Sequence, residues 1–396
     1  MANVSFSGQP LATSATCLRP LWDRAAEWEC RLRMVAEARQ FLYLSTYYLE
    51  YDAYGTEMLA ALVQAQQRGV AVHLLIDHFG QTLGGVLMSE DVKATLAVRL
   101  DDLRTAGAAV EFYAPRHYLQ RRLGGGQHVK IQVSEAGEAL FGSSNITASS
   151  FEQWHEFSVA VRGPVVSTLL ASYGEIGGAV DDADLRHLDA EAANASGDLS
   201  VDLEYWFCNP NLHQGRRGPL WWRGRNVVTD GLVALVDGAR ERLQITAFYF
   251  KPIPALMDAV CRAARRGVRV EVYHSHREAL DATDLAWIAA AASYDRLVAS
   301  GVRIYEHGCG EHSKIVLVDA GPVAFGSYNF EDAAHDRLAE AMLATLDPGV
   351  VAHASSIFDE LREDPNNIPV THEFRGRLSR SLRWRLALMG RFKRWM

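Results

Sequence analysis

A chain of 396 residues, 48% apolar and 22% charged, is long enough for two ordinary domains or two fused repeats, and no run approaches the ~18 apolar residues of a membrane span. Its five cysteines (Cys17, Cys30, Cys208, Cys261, Cys309) are scattered and never spaced Cys-x-x-Cys, which argues against a disulfide framework or a cysteine zinc site and suits a reducing cytosol. The net charge of −8 is uneven: Phe374 to Met396 contributes +8 with no acidic residue, so the body carries −16, unlike a general nucleic-acid binder with a broad basic face.

In chain order, "ARQFLYLSTYYLEYD" from Ala38 is apolar, β-branched and aromatic, and predicts a buried strand. "EMLAALVQAQQRGV" predicts an amphipathic helix closed by the C-cap glycine Gly69, followed by a strand over "AVHLLID". A further helix ends in "AGAAVEFY", another strand. The order returns after Ala239: strand "ARERLQITAFYFKP", helix "ALMDAVCRAARRGV" with Gly267, strand "RVEVYHS", then "SGVRIYEH". This alternation predicts an α/β fold of two fused repeats related by a pseudo-two-fold axis, each a parallel-type sheet with helices on both faces. Residues 1–196 form the expected first repeat, 197–368 the second and 369–396 a tail. "DAEAANASGDLS" reads as the linker. After it, "DLEYWFCNPNLHQGRRGPLWWRG" predicts a strand and a surface loop, whose Trp206, Trp221 and Trp222 serve packing or, alternatively, a lipid-contacting rim.

The repeat carries a second, sharper pattern. His128-Val129-Lys130 is followed by Glu135, Gly142-Ser143-Ser144-Asn145 and Glu156; His312-Ser313-Lys314 by Asp319, Gly326-Ser327-Tyr328-Asn329 and Glu340. Both copies keep the same offsets, His to Asn and Asn to Glu. A short motif occurring once is weak; the duplicate makes one site with pseudo-symmetry.

Histidine and lysine two apart on a strand project together. The glycines permit close backbone approach, while the Ser and Asn residues supply donors. Two lysines and two asparagines can neutralise a phosphodiester. One imidazole can then attack phosphorus, and the other can protonate the leaving group. Glu156 and Glu340 are the candidates to fix the second ring nitrogens. No carboxylate or His/Cys set calls for a metal or other cofactor.

On these residues the chain resembles the phospholipase D superfamily with its double HKD motif, His-x-Lys-(x)4-Asp-(x)6-Gly-Ser-x-Asn, and within it bacterial cardiolipin synthases. "GTEMLAALVQAQQRGVAVHLLIDHFG", "WHEFSVAVRGPVV" and "RIYEHGCGEHSKIVLVD" extend the likeness over about Leu21 to Glu363. The resemblance implies a pseudo-dimeric α/β sandwich with one site between the repeats, His128 as nucleophile and His312 as acid/base. It implies cardiolipin synthesis from phosphatidylglycerol. The alternatives are hydrolysis of glycerophospholipids to phosphatidic acid and, third, a nuclease. Glu135 stands where the family usually has Asp, a position that reads as structural. "FEDAAHDRL" lacks the Asp-x-Arg-Ser common in cardiolipin synthases.

Leucines spaced by three and four in the tail, with arginines opposite, predict a helix lying on an anionic bilayer. Its expected membrane contacts are Arg377, Arg380, Leu382, Arg383, Trp384, Arg385, Arg391, Lys393, Arg394 and Trp395; a helix docked on its own body is the alternative. With no secretion signal, the expected location is the cytoplasmic face of the cell membrane, and both motifs in one chain suit a monomer. His274 and His276, and Asp77 and His78, occupy matching strand ends and line the cleft in this reading. Gly124-Gly125-Gly126 reads as an approach loop. Tyr48 and Tyr249 occupy equivalent, partly buried positions.

Overall fold

The computed structural model describes residues 6, 8–194, 200–212, 224–280 and 284–389. Two sheets of matching strand order stand at its centre. The first runs β2 (Cys17–Leu21), β9 (Ser158–Arg162), β8 (Glu138–Gly142), β7 (Lys130–Ser134), β3 (Phe41–Thr46), β4 (Ala71–Asp77) and β5 (Ala109–Tyr113). The second repeats that order as β10 (Val201–Cys208), β16 (Leu338–Thr345), β15 (Val323–Gly326), β14 (Ile315–Val318), β11 (Arg242–Thr246), β12 (Arg269–Ser275) and β13 (Arg303–His307). β1 (Leu11–Ala15) and β17 (Asn367–Val370) extend its edges.

The expectation of a parallel-type sheet needs correction. Within the seven-strand orders, β3–β4–β5 and β11–β12–β13 are parallel, whereas the motif strands and their neighbours are antiparallel. The physical reason is the connection. Glu135-Ala136-Gly137 joins β7 to β8 too tightly for a crossover helix, so the chain must return antiparallel. The cap glycines behave as expected, with φ of +92° at Gly69 and +93° at Gly267.

The repeats are interlaced. β1 pairs with β10 of the second sheet, and the chain crosses within one residue to β2 of the first. β6 (Gly126–Gln127) pairs with β16 across the seam. A central core fills the space between the sheets, where helices Val165–Glu175 and Pro348–Glu363 bury Leu169, Leu170, Ile357 and Phe358. Phe157 and Phe325 meet there edge to face at 5.2 Å. Separate cores cover the outer faces. Trp206 is buried in one of them; Trp221 and Trp222 lie outside the described residues.

The tail differs from the expected free helix. Residues Arg380–Met389 are helical, but Leu382 and Leu386 are buried in the outer core of the second repeat. Arg385 donates to Asp284 at 2.8 and 3.0 Å, and Arg375 pairs with Asp295 at 2.6 Å. From Phe374 on the tail has no acidic residue of its own, but the acidic body supplies partners for Arg375 and Arg385. Leu382 therefore faces protein, and Arg385 is engaged. Arg377 pairs with Glu373, whereas Arg380, Arg383 and Trp384 point outward. Arg391, Lys393, Arg394 and Trp395 lie outside the described residues.

Candidate active site

Each motif histidine sits just before a strand, in a lead-in stitched to the opposite repeat. The His128 amide donates to the Ala339 carbonyl at 2.8 Å, and the His312 amide to the His155 carbonyl at 2.8 Å. Ala339 and His155 directly precede Glu340 and Glu156, so the same stitches bring each glutamate to the other repeat's histidine. His312 Nδ1 lies 2.8 Å from Glu156 Oε2. His128 Nδ1 lies 3.0 Å from the Ser327 carbonyl and 3.3 Å from Glu340 Oε2. Both rings are almost fully buried, and the charge of His312 adds to the lowering of His128. Tyr47 meets His128 edge-on at 4.7 Å; Phe248, its counterpart in the second repeat, meets His312 at 4.5 Å, with Trp154 stacked on the other side at 5.0 Å.

The two pairs are electrostatically unequal. Burial pushes the Glu156 carboxyl up, but His312 and Lys314 outweigh it and hold the group at about 2. Glu340 has the opposite outcome: burial raises it well above the carboxylate range despite Lys130 and the Ser327 hydroxyl, which donates to it. Burial lowers His128 well below its ordinary value, helped by both lysines. It lowers His312 to about 4, with Glu156 opposing the fall. Glu156 is thus held toward its anionic form behind His312, whereas burial favours the protonated form of Glu340 beside His128.

Lys130 and Lys314 are buried, and each ammonium donates to the carbonyl of its own motif histidine. Burial lowers both, Lys314 to about 8. Asn145 Oδ1 lies 3.4 Å from the Thr46 hydroxyl, while Asn329 Oδ1 is buried with no partner among the described residues. Gly142 and Gly326 are required by space: a Cβ would overlap the Phe157 and Ala341 carbonyls of the adjoining strands. Ser143 exchanges hydrogen bonds with the Phe157 backbone, as Ser327 does with Ala341. Glu135 accepts from the Arg39 amide at 2.5 Å, and Asp319 from the amides of Arg240, Glu241 and Arg242. Both acids therefore tie the motif hairpin to the start of β3 or β11, away from the imidazoles.

Several residues at the site escaped sequence reasoning. Ser45 and Thr246, equivalent positions of β3 and β11, each accept from the strand amide after the motif lysine, Ile131 at 3.2 Å and Ile315 at 2.9 Å. Their alignment in the repeat was the available signal. Glu27 lies behind the first Gly-Ser-x-Asn, buried among Arg24, Arg31, Ser144 and Ser158 at 2.6–3.0 Å. Nothing in "DRAAEWEC" marks it. Asp77 caps Gly80 and accepts from the Gln127 amide, and burial pushes its carboxyl to about 7.

His155, His307 and Asp364 bring ligand-type atoms within 4.8 Å of one another. However, Gly310 N–H donates to His307 Nδ1, which leaves the proton of the neutral ring on Nε2, facing Asp364 at 2.8 Å. That is a hydrogen-bonded pair rather than a free lone pair for a metal. His274 is buried against the Tyr294 hydroxyl at 2.7 Å, and His276 caps the turn at Glu278, so neither stands free in the cleft.

A family model described as "Cardiolipin synthase, PLD-like domain" matches residues 32–174 and 232–362, which include both motifs. The chain belongs to this family. Cardiolipin synthase B of Salmonella typhi is 25% identical over 354 residues, covering 85% of this chain and 76% of that protein. A Clostridium perfringens cardiolipin synthase is 24% identical over 314 residues, covering 75% and 60%. Among solved structures, a Haemophilus influenzae phosphatidylserine synthase superposes with a TM-score of 0.73 at 16% identity, covering 98% of this chain and 96% of that one. A Porphyromonas gingivalis polyphosphate kinase gives 0.57 at 13% identity over 90% and 49%. At those identities the structures speak to the fold alone. Where members of the cardiolipin synthase family commonly carry Asp-x-Arg-Ser, this chain has Glu331, buried, paired with Lys251 at 3.0 Å and accepting from Tyr249 at 3.3 Å.

Proposed function

We propose that this protein is a phospholipase D-type phosphatidyltransferase that forms cardiolipin from phosphatidylglycerol through a phosphohistidine. His128, neutral and with Nδ1 turned to the Ser327 carbonyl, has Nε2 available to attack phosphorus. As the N–P bond forms, the P–O bond to the leaving alcohol breaks, and His312 gives that alkoxide its proton. His312, now neutral, takes the proton of the incoming hydroxyl; its oxygen attacks phosphorus and the N–P bond breaks. Lys130, Lys314, Asn145 and Asn329 hold the non-bridging oxygens, and Glu156 steadies the imidazolium of His312. The phosphodiester's own negative charge, next to His312, favours its protonated form in the bound state. These groups supply the needed charges without assigning a role to a metal.

The observation that carries this reading is the crossed pairing of each histidine with the other repeat's glutamate, whose carboxyls burial and neighbouring charge shift in opposite directions. It supports a division into nucleophile and acid. The likeness to cardiolipin synthases favours phosphatidylglycerol as donor and acceptor; water as acceptor would give phosphatidic acid at the same site. We place the protein peripherally on the inner, anionic face of the cell membrane, acting as a monomer. The test is product analysis by mass spectrometry after incubation with phosphatidylglycerol vesicles and, separately, single-stranded DNA. Cardiolipin is expected. Cleaved DNA with intact lipid would replace this reading with the nuclease one.

A further inference from the structure

We infer that the segments around the approach to His128 form the face that docks on an anionic bilayer, a surface distinct from the buried stripe of the tail. This deepens the lipid reading above and rests on it. Twelve large apolar residues are exposed among the described residues, and six of them come from three short segments: Leu83, Val86, Leu87; Tyr118, Leu119; and Leu212. Val86 is 64% exposed and Tyr118 62%. Isolated exposed leucines need no explanation, but a cluster at one end of a sheet does.

The three segments meet on one stretch of backbone. A Cβ on Gly124 would lie 3.3 Å from the Phe79 ring, at the start of the helix His78–Gly84 that leads to Val86. Gly125 packs against the carbonyl of Gln120, in the turn that carries Tyr118 and Leu119, and against Asn211. The Asn211 amide, next to Leu212, donates to the Gly126 carbonyl at 2.8 Å. Gly126 is two residues from His128. The apolar cluster therefore surrounds the chain that leads directly to the proposed nucleophile.

Charge complements it. Arg116, Arg121 and Arg122 are exposed beside Tyr118 and Leu119, and Arg122 lies over the Tyr118 ring at 5.5 Å. The pseudo-two-fold carries the ends of β4 and β5 onto those of β12 and β13. There the docked tail lies against His276 and Arg277 and presents Arg380, Arg383 and Trp384 to solvent. Apolar side chains flanked by arginines, with an aromatic among them, match the boundary between headgroups and acyl chains. A face of this kind would let a phospholipid reach the buried histidines without its acyl chains crossing water.

The experiment uses the full chain and two variants, Leu87→Glu with Leu119→Glu, and Arg116→Ser with Arg122→Ser. Co-sedimentation is measured with vesicles of phosphatidylcholine containing phosphatidylglycerol, and of phosphatidylcholine alone. Turnover of a short-chain, monomeric phosphatidylglycerol is followed in parallel. Both variants should bind anionic vesicles at least about tenfold more weakly, with short-chain turnover within about twofold of the parent. Undiminished vesicle binding by the leucine variant overturns the inference. So does binding lost only with the arginines, since a soluble polyanion such as nucleic acid needs charge alone. Failure of the parent to turn over any lipid, with vesicle binding still dependent on both sets, would instead strike the proposed reaction and leave the docking face standing.

Discussion

Glu156 and His312 are 156 residues apart in sequence and 2.8 Å apart in space, each from a different repeat. The reciprocal contact, Glu340 with His128, is longer at 3.3 Å, and burial shifts both of its groups toward their neutral forms. One pseudo-symmetric framework thus gives the two histidines unequal partners, as the proposed division into acid and nucleophile requires.

That inequality makes the glutamates distinguishable. Glu156→Gln removes the anion behind His312 and should lower kcat by about 10²–10³. Burial raises the Glu340 carboxyl toward its protonated form, so Glu340→Gln changes the charge there less and should cost about tenfold or less. Steady-state kinetics of the two variants decide; equal losses would contradict the assignment of His312 as the charged partner.

A limit on activity at high pH follows from Lys314. Burial lowers its ammonium to about 8, with Glu156 and Glu340 opposing the fall. Deprotonation removes positive charge from the phosphate site, so kcat/KM should decline as pH rises through about 8. Lys314→Arg, whose guanidinium stays charged, should be less active at its best pH but lose that decline. A profile of kcat/KM for parent and variant checks this, and an identical decline in both would assign it elsewhere.

Glu27 should matter for stability. It is wholly buried; burial raises its carboxyl, but Arg31 and Arg24 prevail and hold it below the ordinary 4.5. Glu27→Ala would strand Arg31 in the interior and should cost roughly 3–5 kcal/mol. In the parent, a carboxyl lower in the folded than in the unfolded chain stabilises fully above the ordinary value, and that contribution is lost as pH falls below it. Urea midpoints at neutral and acidic pH should therefore converge for parent and variant. A constant gap between them would show that the charge is not responsible.

The docked tail also has a measurable consequence. Leu382→Ala opens a gap in the outer core and should lower stability by about 2–4 kcal/mol, as for other buried leucines. A thermal midpoint unchanged by the substitution would mean that the helix does not pack there in solution.

The strand-and-helix order, the C-cap glycines and the duplicated motif were all legible in the sequence, because each depends on spacings of a few residues that a single strand or turn enforces. The glycines of Gly-Ser-x-Asn were legible as close-approach points, though not which carbonyls they spare. Antiparallel motif strands were missed because a two-sided buried strand reads the same in either direction. The tail was misplaced for a similar reason: an apolar stripe shows that a face will be covered, not by what. Asp284 and Asp295 decided it, from another part of the chain.

Amino-acid order alone determined which side chains the site would gather and that it would gather them twice. The tertiary structure decided that each histidine takes its glutamate from the other repeat and that the two carboxyls are shifted in opposite directions. Both depend on burial and on contacts across a seam between distant segments, for which local periodicity carries no signal.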